Sequence, residues 1–346
     1  SIHIPRFFEK NKQEKGKRKG RSMRFEIRTD LAVEKQEELK EKAGEISGVS
    51  LKEWYQEENQ IKMTRVEVLD QEGERAIGKE KGIYLTLEAS QMTKKDEDYH
   101  RQVSKELARQ LQELARRALG HPPCRILAAG LGNAAVTPDS LGPCVLGNLC
   151  VTRHMEQEYG DGFLEKHNLP SISGITPGVM AQTGMETAEI IRGVVKETKP
   201  DLLIAIDALA ARSIRRLGCT IQLTDTGIRP GSGVGNHRCG LTKESLGIPV
   251  VAIGVPTVVG AAAIVQDTVQ ALIQALEGKE KTRGMGTYLE GLQGEEQYAL
   301  IRELLEPEFG PLYVTPPDID ETVKEISFTI SEGIHMAFLP DMEFQR

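Results

Sequence analysis

The sequence predicts an α/β fold: a three-layer α/β/α arrangement on an open, mostly parallel sheet, with a small antiparallel β element added. Two observations carry this. The stretches RILAAGL (125–131), DLLIAID (201–207), CTIQLTD (219–225) and PVVAIGV (249–255) are nearly continuous apolar runs, as expected of strands covered on both faces. Helical patterns alternate with them, as in the stripe Ile190, Ile191, Val194 and Val195, and that alternation is what parallel strands joined by crossover helices require. A length of 346 residues permits one large domain with additions or two smaller ones, and can bury a core without staples.

Taken in chain order, residues 9–22 (EKNKQEKGKRKGRS) are too polar to pack. They read either as an upstream extension ahead of Met23 or as a basic arm for an acidic partner. Order is expected from near Met23, with a charged helical segment around 33–43. Residues 61–69 (IKMTRVEVL) and 83–89 (IYLTLEA) are rich in β-formers around a turn-prone Gly78 to Gly82, which predicts an antiparallel pair. Val103, Leu107, Leu111, Leu114 and Ala118 share one face, predicting a helix of about four turns. Gly120 and the Pro122-Pro123 pair end it. Beyond residue 256, helices are expected around 258–276 and 295–306, joined by a Gly-rich polar stretch at 278–294, with a closing helix over about 318–338. No internal repeat is visible.

Composition narrows the function. The net charge of −7 conceals a polarity, because the first 24 residues carry nine Lys and Arg against Glu9 and Glu14. The rest of the chain is therefore strongly acidic, which argues against non-specific nucleic-acid binding. A hydrophobic fraction of 39% excludes disorder as the dominant state. Cys124, Cys144, Cys150, Cys219 and Cys239 form no CxxC pair, and read as free thiols of a reducing cytoplasm. No apolar run approaches the roughly 18 residues of a membrane span, and no signal-peptide pattern follows the basic start, so a soluble intracellular protein is expected.

Loops leaving the carboxyl ends of strands build sites in open α/β folds. The first candidate is GLGNAAVTPDSLGP (130–143), in which Gly130, Gly132 and Ala135 fit a dinucleotide G-x-G-x-x-A. Pro138 would interrupt the helix such a motif needs, and no acidic residue follows at the usual offset. Asp139 sits at an expected helix start, where an N-cap role and a catalytic one are both open. The second is AIDALAARS (205–213), where Asp207 closes an apolar run and faces the crevice, with Arg212 a candidate ion-pair partner. The third is TDTGIRPGSGVGN (224–236). Its Asp225-Thr226-Gly227 copies the triplet of the all-β pepsin-like proteases, a coincidence in this fold class. Gly231, Gly233 and Gly235 around Ser232 read as an anion nest or a flexible turn, and Ser232 lacks the G-x-S-x-G context of a nucleophile elbow. Seven histidines show no H-E-x-x-H spacing, and only His237 lies beside a candidate loop. Asp139 and Asp207 remain, two carboxylates with no evident activated Ser or Cys. Like charges in one pocket push their pKa values apart, so that one can accept a proton from water while the other donates.

The sequence resembles the germination (spore) protease family of endospore-forming bacteria. The matching blocks are RTDLAVE (28–34), GIYLTLEA (82–89), GLGNAAVTPDSLGP (130–143), LCVTRH (149–154), PGVMAQTGMET (177–187), DLLIAIDALAARSI (201–214), TDTGIRPGSGVGN (224–236) and LGIPVVAIGVPTVV (246–259). The resemblance implies an atypical aspartic endopeptidase that degrades small acid-soluble spore proteins at germination, in the forespore and spore core. It implies a fold similar to hydrogenase-maturation endopeptidases, no cofactor, no membrane or nucleic-acid partner, a homotetramer, and catalytic aspartates matching Asp139 and Asp207. It also implies a zymogen that cuts itself at a substrate-like sequence, which Thr29-Asp30-Leu31-Ala32-Val33-Glu34 matches. The expected cut is Asp30–Leu31, making 1–30 a pro-segment and 31–346 one peptidase domain with its small β subregion around 60–90. The basic stretch before Met23 and the compact 278–294 region depart from the family pattern. Two other readings stay open: a metal-dependent maturation-type peptidase with Asp139, Asp207 and a group such as His237 as ligands, and a nucleotide-binding module.

Overall fold

A computed structural model describes residues 29–43, 46–160, 162–231, 239–277, 298, 300–305 and 312–339. The expectations for the basic arm, for an ordered start at Met23, for Ser232, Gly233, Gly235 and His237, and for the 278–294 stretch fall outside the described residues.

The strands are β1 (Val49–Gln56), β2 (Ile61–Val68), β3 (Gly82–Ala89), β4 (Arg125–Gly130), β5 (Ser171–Ile175), β6 (Leu202–Ala211), β7 (Thr220–Thr224), β8 (Val250–Gly260) and the short β9 (Tyr313–Val314). Among the described residues they make one sheet in the order β1-β2-β3-β7-β8-β6-β4-β5, with β9 added on β8. Its β5-β4-β6-β8 half is parallel, as the apolar runs predict. The expected antiparallel pair β2–β3 forms, and it continues this sheet, because β7 pairs antiparallel with both β3 and β8. The run at 219–225 is thus a strand, but an antiparallel one. The chain between β6 and β7 is only eight residues, too short for the crossover that a parallel return needs.

Helices α1 (Ala32–Ala43), α2 (Gln71–Ile77), α3 (Glu97–Leu119), α4 (Leu141–Asn148), α5 (Arg153–Tyr159), α6 (Phe163–Lys166), α7 (Met180–Thr183), α8 (Thr187–Thr198), α9 (Lys243–Leu246) and α10 (Ala261–Glu277) precede a C-terminal helix, Ile319–Phe338. The expected α3 is closed by Gly120 in the left-handed region and opened by Asp96, whose carboxylate accepts from the Tyr99 N–H. α2 replaces the turn expected between β2 and β3, capped by Asp70 at its start and Gly78 at its end. Strands β1 and β5 carry too little apolar signal to be read from sequence. β1 faces solvent along much of its length, and three of the five residues of β5 (SISGI) are serine or glycine.

Strand alternation sorts the core into two faces. Leu85, Leu87, Ile126, Ile204, Ile206, Ile221, Leu223 and Ile253 pack under α3, α4 and the C-terminal helix. On the opposite face Leu127, Ala129, Leu203, Ala205, Val250 and Ala252 pack under α8, and Leu31, Val33, Leu209 and Val259 pack with Ala263 of α10. Helices on both sides of one sheet give the three layers. No helix among the described residues is long and apolar enough to cross a membrane.

Candidate active site

Strand β4 ends at Gly130 and the chain doubles back. Gly132 has φ +105°, and a Cβ there would lie 2.0 Å from the Asp139 carbonyl oxygen, so this turn demands glycine. Residues Thr137–Asp139 make one 3₁₀ turn before α4, and the Asp139 carboxylate accepts the Asn133 N–H at 2.8 Å. Helix α4 has Ser140 at its N-cap with no side-chain capping bond, so Asp139 does not act as the cap. The G-x-G-x-x-A stretch is used up in this turn, and α4 starts only at Leu141.

Asp207 sits within β6 rather than at its end. Pairing with β8 continues through Asp207↔Gly254 to Ala211↔Val259, so the strand outlasts its apolar run. The register slips between Leu209 and Ala210, placing an extra residue, Thr257, on β8. The Thr257 hydroxyl donates to the Pro138 carbonyl at 2.7 Å, tying this bulge to the Asp139 turn. Asp207 is buried, and its Oδ1 accepts the Ala208 N–H at 3.0 Å. By parity its side chain shares the face of Leu203 and Ala205. Gly254 is level with Asp207 on one side and with Gln222 of β7 on the other. Asp207 and Gln222 therefore flank a residue without a side chain, two strand spacings or about 10 Å apart.

A cavity of about 480 Å³ opens over this face, and Asp139 and Asp207 both line it, with Lys79, Tyr84, Gln222 and Asp30. Burial pushes the Tyr84 hydroxyl above the usual tyrosine range. Burial also holds the Lys79 ammonium below the usual lysine range, against the opposing pull of the Asp30 charge.

The segment containing Asp30 is docked residue by residue. The Asp30 N–H donates to the Ala210 carbonyl at 3.0 Å, and its carboxylate accepts the Ala210 N–H at 2.9 Å. Its own carbonyl accepts from Lys79 Nζ at 2.8 Å and Gln222 Nε2 at 3.3 Å. Gln222 Oε1 accepts the Ala32 N–H at 2.7 Å, and Leu31, Ala32 and Val33 are fully buried. The Glu34 carboxylate accepts the Arg212 and Ser213 N–H groups at 2.8 and 3.1 Å and the Thr29 hydroxyl, and Arg216 Nε lies 3.4 Å away. Burial raises the Glu34 pKa, while Thr29, the two N–H groups and Arg216 pull it back. Arg212, a candidate partner of Asp207 in sequence, thus serves Glu34 through its backbone.

Asp225 is structural, as its coincidental triplet suggests. Its Oδ1 accepts the Ile83 N–H at 2.8 Å and joins β7 to β3. All five cysteines are free thiols. Among the described residues no three His, Cys, Asp or Glu side chains cluster as a metal site would need. Sequence reasoning missed Lys79, Tyr84, Gln222 and Thr257. Gln222 does carry a signal, being a polar residue between Ile221 and Leu223 in a strand covered on both faces. Lys79, in a short turn between glycines, carries none.

A family model described as "Germination protease" matches residues 25–286. The chain is 47% identical over 321 residues to the "Germination protease" of Caldanaerobacter subterraneus subsp. tengcongensis, covering 91% of this chain and 95% of that one. It is 43% identical to the protein of the same name from Clostridium tetani, covering 92% and 97%. The Bacillus cereus (strain AH187) relative is 40% identical over 349 residues, covering 91% and 94%. Among solved structures, a [NiFe] hydrogenase maturation protease from Thermococcus kodakarensis KOD1 is 17% identical and covers 65% of this chain and 97% of its own, with a TM-score of 0.33, too slight a likeness to bear on the chemistry.

Proposed function

The chain belongs to the germination protease family and is a peptidase, and on that premise we propose that it is the endopeptidase that degrades small acid-soluble spore proteins in the spore core at germination. It is made as a zymogen, acts as a homotetramer, and converts itself by cutting Asp30–Leu31, so that 1–30 is the pro-segment and 31–346 the peptidase domain. Asp139 and Asp207 are the acid/base pair. One observation carries this reading: Asp30, on the acyl side of the expected cut, lines the same cavity as Asp139 and Asp207. In this reading one of the two carboxylates is ionised and draws a proton from water while the other, protonated, protonates the leaving nitrogen.

Incubating the full chain and sequencing the N-terminus of the product tests the processing step. Leu-Ala-Val-Glu is expected, and any other start overturns the assigned bond. Because one aspartate must be protonated, mild acidification from neutral pH is expected to speed the cut, and an unchanged or falling rate contradicts the shared-proton scheme. Purified small acid-soluble spore protein is the substrate to use in trans, and its survival intact sinks the substrate assignment. Full activity after exhaustive chelation is expected. Stoichiometric metal whose removal abolishes cleavage would instead favour a metal-dependent peptidase.

A further inference from the structure

We propose that Lys79 and Gln222 are catalytic residues that bind the oxygen of the scissile carbonyl and stabilise the negative charge it acquires during hydrolysis. The inference rests on the reading of Asp30–Leu31 as the scissile bond. Two donors from separate parts of the chain, one in the turn after α2 and one on β7, converge on the Asp30 carbonyl oxygen at 2.8 and 3.3 Å. The Gln222 amide has little choice of orientation: Oε1 faces the Ala32 N–H, which needs an acceptor, so Nε2 is left for the carbonyl. One side chain thus grips both sides of the cut, the Asp30 carbonyl before it and the Ala32 N–H after it.

Position across the sheet separates the two tasks. Asp207 stands on the far side of Gly254 from Gln222, leaving room between them for a peptide carbonyl and an attacking water. The water oxygen bonds to the Asp30 carbonyl carbon, and its proton passes to the ionised member of the Asp139 and Asp207 pair. The carbonyl π electrons move onto oxygen, where the Lys79 ammonium and the Gln222 amide receive them. Collapse of the adduct breaks the C–N bond, and the protonated aspartate delivers its proton to the Leu31 nitrogen. Lys79 is part-buried and burial disfavours its charge, so that charge is stabilised more by the developing oxyanion than by the neutral carbonyl, which is the condition for lowering a barrier.

The test uses full-length chain with Lys79→Met, Lys79→Gln, Lys79→Arg and Gln222→Met. Readouts are the first-order rate of Leu31 product formation across pH, and kcat and KM on a peptide spanning the 29–34 sequence. Lys79→Met is expected to lower the processing rate and kcat by about 10²–10³ with KM little changed. It is also expected to remove the alkaline fall in rate that deprotonation of Lys79 imposes. Lys79→Arg restores part of the loss, and Gln222→Met shows a smaller loss of the same kind. Lys79→Gln, which keeps a donor but no charge, measures the loss of the charge alone if Met at 79 prevents folding, which thermal unfolding reveals. A kcat at the wild-type level in the folded Lys79 variants, or a loss confined to KM, overturns the proposal. Asp207→Asn run alongside separates the two ideas. If it is inactive while Lys79→Met is fully active, only the carbonyl-binding role fails; if it is fully active while Lys79→Met is slow, only the aspartate assignment fails.

Discussion

The parallel half of the sheet and its antiparallel half meet along β8 and β7, and the cavity straddles that seam. From the parallel side come Asp207 on β6 and Asp139 in the turn after β4, the groups able to move protons. From the antiparallel side come Gln222 on β7 and Lys79 beside β3, which hold the Asp30 carbonyl, and Tyr84 on β3, which packs with Ala32. The parallel half offers one carboxylate within β6 and one in the turn that leaves β4, the second where a general rule of α/β folds places chemistry. The antiparallel half offers a polar-lined strand face against which an extended segment can be held. A hydrolase needs both, and here a single sheet supplies them by passing from parallel to antiparallel pairing at β8.

This division can be broken from either side. The largest effect is expected on the parallel side: Asp139→Asn and Asp207→Asn each lower cleavage of a peptide carrying the 29–34 sequence by at least 10²–10⁴-fold. Near-wild-type rates in both variants would falsify the proton-transfer role. Next comes recognition on the primed side of the cut. A peptide with Gln in place of the Glu34 equivalent loses charge-assisted bonds to Arg212, Ser213 and Arg216. Its kcat/KM should fall about 10–100-fold, from roughly 1.5–3 kcal/mol per such interaction, and equal use of both peptides would show that Glu34 is merely packed.

Gly132→Ala sharpens the geometry. The added Cβ collides with the Asp139 carbonyl in a left-handed turn, and a loss of about 1–3 kcal/mol in denaturant unfolding is expected along with reduced activity. An unchanged midpoint with full activity would mean that the Asp139 turn is freely adjustable.

The smallest effect concerns a group remote from the cavity. His335 is buried, its Nε2 accepts the Cys150 N–H at 2.8 Å, and burial lowers its pKa against the opposing charge of Glu332. The folded state therefore binds the proton less tightly than the unfolded one. The stability contributed is complete above the ordinary histidine value of about 6.5 and is lost as pH falls through the lower folded value. His335→Gln, which cannot titrate, should flatten the fall in urea midpoint from neutral to mildly acidic pH; an unaltered slope assigns that fall elsewhere.

The two halves also differed in how much the sequence disclosed. Continuous apolar runs such as DLLIAID announced the parallel strands, because burial on both faces leaves no polar positions to confuse the pattern. VSLKEWYQ in β1 gave no such notice, since its register against β2 rather than its apolarity holds it in the sheet. The direction of β7 was hidden because a short apolar run looks the same in parallel and antiparallel pairing. Only the eight-residue connection from β6 bears on it. At the site, Asp139 and Asp207 were legible from their place after apolar runs. Lys79 was not, because its role depends on a carbonyl 49 residues earlier in the chain. Glu34 was visible as part of a cut-site pattern, yet its partners at 212, 213 and 216 are set by tertiary folding alone.

The burial of Leu31 has a consequence for turnover. In the intact chain its N–H is an uncharged amide within a fully buried segment, satisfied by the Thr29 hydroxyl at 3.1 Å. Cutting Asp30–Leu31 as proposed turns that amide into a charged α-ammonium and leaves a new carboxylate facing it. An apolar enclosure that welcomed the neutral link penalises such ions by several kcal/mol when they are not closely paired. On the proposed processing, an enclosure that fits the intact neutral link fits the two charged ends less well, which disfavours their rejoining.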